Sequence, residues 1–237
     1  MAREAMRLTM GLIRRSGRFS AGEERALGLS CFAVTLPPEE GLRRRLLMGR
    51  AAKLLLRHGV RECACPRDFA FPSAFARRGL TAIDRRPLLR QKAAQGTLLA
   101  RQTAGLTGGI AIASAQVTAE VEQAAERLLR RTERVALLRC PGAERLQWRL
   151  RREMGASLRL VDEAQLSEVE TLLRFDDRAV CGRRLTLSPE RAELFPALRL
   201  PPPLAGALTD AEEETLALLL WRGGRLRAEE IGLKVEN

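Results

Sequence analysis

Ile110-Ala-Ile-Ala-Ser-Ala115, Thr118-Ala-Glu-Val-Glu-Gln-Ala-Ala-Glu-Arg-Leu-Leu-Arg-Arg131 and Arg134-Val-Ala-Leu-Leu138 follow one another with short breaks between them. The first and third are apolar runs of strand length. The middle segment has helical length and a helical apolar period. A second helix, Glu144 to Met154, leads to further strand-like runs at Ser157-Leu-Arg-Leu-Val161 and Thr171-Leu-Leu-Arg-Phe175. Apolar strands alternating with helices define βαβ units, whose strands lie parallel and are covered on both faces.

The same alternation continues upstream. Cys31-Phe-Ala-Val-Thr-Leu36 is a strand stopped by Pro37-Pro38. Gly41 to His58 is an amphipathic helix carrying Leu42, Leu46, Leu47, Leu54 and Leu55, closed by Gly59. Glu62-Cys-Ala-Cys65 and Gly79-Leu-Thr-Ala-Ile-Asp84 are short strands, and a helix spans Pro87 to Gln102. An internal repeat supports this pattern: Ala51 and Leu55 align with Ala124 and Leu128, and both copies end in Cys-Pro, at Cys65-Pro66 and Cys140-Pro141. The fold class expected is α/β: a doubly wound, mostly parallel Rossmann-like sheet of about six or seven strands, built from two similar βαβ halves. The halves are placed at about 31–105 and 108–177, within one domain of residues 1–177. Residues 178–237 are read as an appendage, punctuated by Pro189, Pro196 and Pro201-Pro202-Pro203, with one helix packing on the sheet. Two capping-box spacings, Ser20-Ala-Gly-Glu23 and Thr209-Asp-Ala-Glu212, are read as helix starts.

Composition narrows the chemistry. The 237 residues are 46% hydrophobic, enough to bury a core. One histidine, His58, excludes any mechanism that needs two imidazoles. All but three of the 41 basic residues are arginine, the exceptions being Lys53, Lys92 and Lys234, and the net charge is +12. Such a charge invites a nucleic-acid reading through phosphate neutralisation. The basic clusters (Arg43–Arg45, Arg77-Arg78, Arg85-Arg86, Arg130-Arg131, Arg149–Arg152) are dispersed, and RNA readers usually add stacking aromatics that these clusters lack. The charge is therefore read as coding bias, and nucleic acid as a disfavoured partner. Trp148 and Trp221 are read as core residues. The first thirteen residues contain no signal-type apolar stretch, and no run reaches the roughly 18 residues of a membrane span. With five cysteines, an odd number, the expected compartment is the reducing cytoplasm, without a membrane partner.

In a doubly wound sheet, ligands bind beyond the carboxyl ends of the strands, where strand order reverses. The expected crevice lies between Leu36–Gly41, including Glu39 and Glu40, and Ser114–Thr118, including Ser114, Gln116 and Thr118. Asp176, in the acid pair Asp176-Asp177 after the last strand, is the remaining candidate ligand-binding residue. A dinucleotide site needs G-x-G-x-x-G between strand and helix, so that backbone can approach the pyrophosphate. Here Ala113-Ser-Ala-Gln-Val-Thr118 has no glycine, and Gly108-Gly109 stands before the strand, at the wrong end. Cys65 and Cys140 occupy the positions where an acid usually holds the ribose. No P-loop or nucleophile elbow occurs. Cys63 and Cys65 are expected to be buried thiols, since alternate strand residues face opposite ways. His58 closes a helix, where its charge suits the dipole. No catalytic residue and no metal site is expected.

The order of elements from Gly108 to Phe175 resembles the cofactor domain of shikimate-dehydrogenase-like proteins. That resemblance implies an NAD(P)-dependent oxidoreductase with an unorthodox loop, an alternative the missing glycines disfavour. The first expectation is a degenerate nucleotide loop, no cofactor, and a role as small-ligand binder or non-catalytic scaffold. A basic RNA- or nucleoprotein-associated protein is the other alternative.

Overall fold

The computed structural model describes residues 10–38, 42–132, 134–176, 185–205 and 208–235. The chain divides into two compact units, one of residues 1–84 with 198–232 and the other of 85–197 with 233–237.

The first unit begins with β1 (Met10–Arg15), β2 (Ser20–Ala26) and β3 (Leu29–Leu36), followed by α1 (Leu42–Arg57), β4 (Glu62–Ala64), α2 (Ser73–Ala76) and β5 (Thr81–Ala82). Its sheet has the order β2-β3-β1-β4-β5, parallel except for β2. The capping-box reading of Ser20–Glu23 is corrected here: the segment is a strand. Leu27 and Gly28 both adopt positive φ, +47° and +73°, and form the two-residue turn that folds β2 back onto β3. A local hairpin overrides the helical spacing. β1 is the central strand, and its short Met10-Gly-Leu-Ile13 run is weakened as a strand signal by Gly11. A Cβ at Gly11 would lie 2.9 Å from Leu55 Cδ2 and 3.0 Å from Cys63 Sγ, so glycine lets α1 approach the sheet. Ile13, Val34, Leu36, Ala51, Leu55, Val60 and Phe75 form the core on that face.

The second unit holds α3 (Arg86–Gln91), α4 (Ala93–Thr103), β6 (Gly109–Ala113), α5 (Ala119–Leu129), β7 (Val135–Leu138), α6 (Ala143–Met154), β8 (Arg159–Val161), β9 (Val169–Arg174) and β10 (Leu185–Leu187). The helix expected from Pro87 to Gln102 is divided at Lys92, which is buried and donates from Nζ to Gln95 Oε1 at 2.9 Å. The sheet order is β10-β9-β6-β7-β8, and every pairing is parallel. In chain order this is 3-2-1-4-5, the doubly wound arrangement with its reversal at β6. Ile110, Ile112, Leu137 and Leu173 are buried on one face, and Ala111, Ala113, Ala136, Leu138, Val161 and Leu172 cluster on the other. Burial on both faces is why these strands read as continuous apolar runs.

β11 (Ala197–Arg199) and β12 (Gly232–Lys234) make a separate two-stranded pair. Between them lie α7 (Pro202–Ala205) and α8 (Asp210–Arg222). Thr209 and Glu212 form the reciprocal capping box that their spacing predicts. α8 packs on β1 and β4 with Ala217–Leu220 buried, and Arg222 holds Glu62 at 2.8 Å through two nitrogens.

The molecule is a mixed α/β protein with Rossmann-like parallel sheets, as the strand–helix alternation implies. The strands are shared between two five-stranded sheets instead of one of six or seven. β1 and β2, unread in the sequence, complete the first, while β10 completes the second. The repeat is local: β6-α5-β7 joins neighbouring strands, whereas β3-α1-β4 steps over β1.

Candidate functional site

Strand order reverses at β6, so the fold rule directs a search for a ligand site to the carboxyl ends of β6 and β9 in the second unit. The expected partners of that site are redistributed. β3 and β6 belong to different sheets, so Leu36 at the end of β3 has no partner on β6 in the sheet. Glu39 and Glu40 lie outside the described residues, as do Asp177 and Cys181. Ser114, Gln116 and Thr118 follow β6, and Asp176 follows β9, its neighbour.

The loop after β6 is held by its own groups. Ser114 is buried and donates from Oγ to the Gln116 carbonyl at 2.7 Å. The Val117 amide donates to the Pro141 carbonyl at 3.0 Å, tying the loop to the turn after β7. Gly142 in that turn has φ +89°, and a Cβ there would stand 3.2 Å from Val117 Cβ. Thr118 caps α5, its Oγ1 accepting from the Val121 amide at 3.4 Å. The Glu120 carboxyl is held below the usual carboxylate range, first by its own backbone N–H and then by the Thr118 hydroxyl. Gln116 is exposed.

On β9, Phe175 continues the ladder by donating its amide to the Ala113 carbonyl at 2.8 Å. The Asp176 side chain is 10% exposed, with Oδ1 3.5 Å from Arg174 Nη2, which also donates to the Asp176 carbonyl at 3.1 Å. After β7, Arg139 faces Asp162 at 3.3 Å and Glu144 at 3.8 Å beside a cavity of about 380 Å³. Sequence reasoning passed over Arg139 and Arg174; their signal was position, as basic residues at carboxyl ends of strands.

The histidine and the cysteines of the first unit engage neighbouring groups. His58 stacks on Phe32 with ring centres 4.0 Å apart and faces Glu23 at 3.5 Å. Burial pushes the Cys63 thiol up to about 12 and the Cys31 thiol up to about 11. Cys65 donates from Sγ to the Cys63 carbonyl. Among the described residues no group of three or more His, Cys, Asp or Glu could hold a metal ion, and no helix is long and apolar enough to cross a membrane. Arginines from both units meet carboxylates: Arg14 with Glu24, Arg67 with Glu214, Arg90 with Glu190, Arg149 with Glu126 and Arg199 with Glu213.

No protein-family model and no curated protein matches this chain. Solved structures with similar architecture include a UDP-glucose dehydrogenase from Pyrobaculum islandicum, at 16% identity and a TM-score of 0.32, covering 62% of this chain and 32% of that one. A dipicolinate synthase chain from Bacillus halodurans matches at 14% identity and 0.33, covering 51% of this chain and 43% of that one. Shikimate 5-dehydrogenase from Listeria monocytogenes matches at 13% and 0.33, covering 97% and 96%. This chain therefore spans less than half the length of the first two. The strand order defines the class: a Rossmann-like α/β protein.

Proposed function

We propose that the chain is a Rossmann-like protein with a degenerate nucleotide loop, acting as a small-ligand binder or non-catalytic scaffold and using no dinucleotide cofactor. One observation carries this reading: the amino end of α5 is occupied by its own side chains. In a dinucleotide fold that end presents free N–H groups and a positive dipole to a pyrophosphate. Here Thr118 takes the Val121 N–H, and the Glu120 carboxylate takes its own. A carboxylate at this position repels a phosphate and consumes its donors.

The disfavoured alternative is an NAD(P)-dependent oxidoreductase of shikimate-dehydrogenase-like layout. A nucleic-acid role stays the other alternative, disfavoured because the basic clusters are dispersed along the chain and lack stacking aromatics. Isothermal titration of the full chain with NAD, NADP, ATP and S-adenosylmethionine tests the reading. No saturable heat is expected at concentrations up to about 1 mM. Micromolar binding of either dinucleotide would overturn it.

A further inference from the structure

A cavity in the second unit is lined from the amino ends of β6, β7, β8 and β9 and from α6, and reaches Arg139 and Glu144 beyond the carboxyl end of β7. It is an open trough of about 1220 Å³, lined by Gly108, Arg134, Gln147, Trp148, Arg159 and Glu170 among others. A trough of this size is ample for a drug-sized ligand.

Trp148 dominates it. The buried stripe of α6 is Ala143, Leu146 and Leu150, and Trp148 falls off that stripe by helical period. The sequence expectation of a core tryptophan is therefore corrected: the side chain is 61% exposed. The Arg152 guanidinium lies 4.7 Å from the ring centroid and steadies the indole. A large exposed aromatic surface in a concave, polar-rimmed site signals recognition more than stability.

The rim is built firmly. The Gly108 amide donates to Glu170 Oε2 at 2.6 Å, and a Cβ on Gly108 would fall 2.5 Å from the Glu170 carboxyl carbon. Arg101 donates to the Gly108 carbonyl at 2.7 Å from beneath. Gln147 donates to the Leu158 carbonyl at 2.7 Å, fixing α6 beside β8. The Gly108-Gly109 pair, out of place for a pyrophosphate, thus shapes this second site.

Charge decides the occupant. Three arginines, Arg134, Arg139 and Arg159, line the trough against two carboxylates, Glu144 and Glu170, so its lining is net positive. Arg139 faces Glu144 and Asp162, while Arg134 stands exposed at the amino end of β7. We propose that the trough binds a small planar aromatic anion, its ring stacked on Trp148 and its carboxylate or phosphate facing Arg134. The proposal goes beyond the crevice reading and does not depend on it.

Calorimetric titration of the full chain with 2-naphthoate and with 1-naphthyl phosphate tests it and separates the carboxylate from the phosphate source. At least one should saturate below about 1 mM, while cyclohexanecarboxylate and inorganic phosphate should not. Trp148→Leu should weaken binding about tenfold or more, through lost stacking, and Arg134→Gln should weaken it in the same direction. Trp221→Phe, a control distant in sequence on α8, should bind as the parent does. Failure of both aromatic anions to saturate would overturn the proposal, and so would unchanged affinity in a folded Trp148→Leu variant. Dinucleotide binding at the crevice is a separate outcome, recognisable because Trp148→Leu would leave it intact.

Discussion

Arg101 on α4 donates from Nη1 to the hydroxyl of Thr171 on β9 at 3.0 Å, and both residues are buried. Its Nη2 meets the Gly108 carbonyl at 2.7 Å. One side chain thus joins a helix, the central strand's amino end and the neighbouring strand across the reversal. Burial lowers its pKa while the nearby Glu170 carboxylate raises it. Arg101→Met should cost about 1–3 kcal/mol, because the buried Thr171 hydroxyl would lose its charged donor and the half-buried Gly108 carbonyl would lose one of its partners. Urea denaturation followed by circular dichroism measures this, and a loss under half a kcal/mol would contradict the bridging role.

Gly96 allows α4 to pass under the Phe195 ring. A Cβ at this position would stand 2.4 Å from Phe195 Cζ. Alanine ordinarily stabilises a helix interior relative to glycine by up to about 1 kcal/mol. Here Gly96→Ala should destabilise by about 1–3 kcal/mol, since overpacking outweighs propensity. A double-mutant cycle with Phe195→Leu should show strong coupling, the two changes costing less together than their separate sum.

Among the described residues three carboxyls are held below their usual range: Glu62, chiefly by its hydrogen bond from Arg222, Glu120 by its own backbone N–H and Thr118, and Glu212 by Thr209. A depressed folded pKa stabilises the fold when the group is ionised in both states. That stability is fully present above the ordinary value of 4.5 and is lost as pH falls through the lower folded values. The midpoint of thermal unfolding should therefore fall on acidification below that point. Glu62→Gln should show a shallower fall than the parent protein.

The thiols should react unequally. Cys63 and Cys31, pushed up to about 12 and about 11 by burial, present almost no thiolate near neutral pH. Cys140 is half-buried at the end of β7. Under brief iodoacetamide treatment at pH 8, peptide mass mapping should find Cys140 modified before Cys31 or Cys63. Thr118→Ala, in turn, should cost about 1 kcal/mol by uncapping α5, read in the same urea titration as Arg101→Met.

Much of the second unit was legible in the sequence because its signals are local. β6, α5, β7 and α6 fall within a residue or two of the segments read from apolar period and turn residues. The capping box at Thr209 forms as its spacing implies. Ser20–Ala26 misled because a capping-box spacing is only four residues long, while the Leu27-Gly28 turn and pairing with β3 engage the whole segment. Trp148 misled because neighbouring leucines suggested a core face, yet the indole projects off the stripe they define. At the crevice, the missing glycines were visible, but the self-capping of α5 by Glu120 was not, since it depends on where one carboxylate turns.

The sequence by itself determined the class: parallel strands buried on both faces must be continuous apolar runs, and helices must carry the crossovers. Only the tertiary structure decided how those strands were shared. Pairing partners distant in the chain set whether β3 joins β6 or β1, and local period is silent on that choice. The same holds for the trough, where Gly108, Trp148 and Glu170 meet through strand order and helix placement, and no motif in the chain announces their meeting.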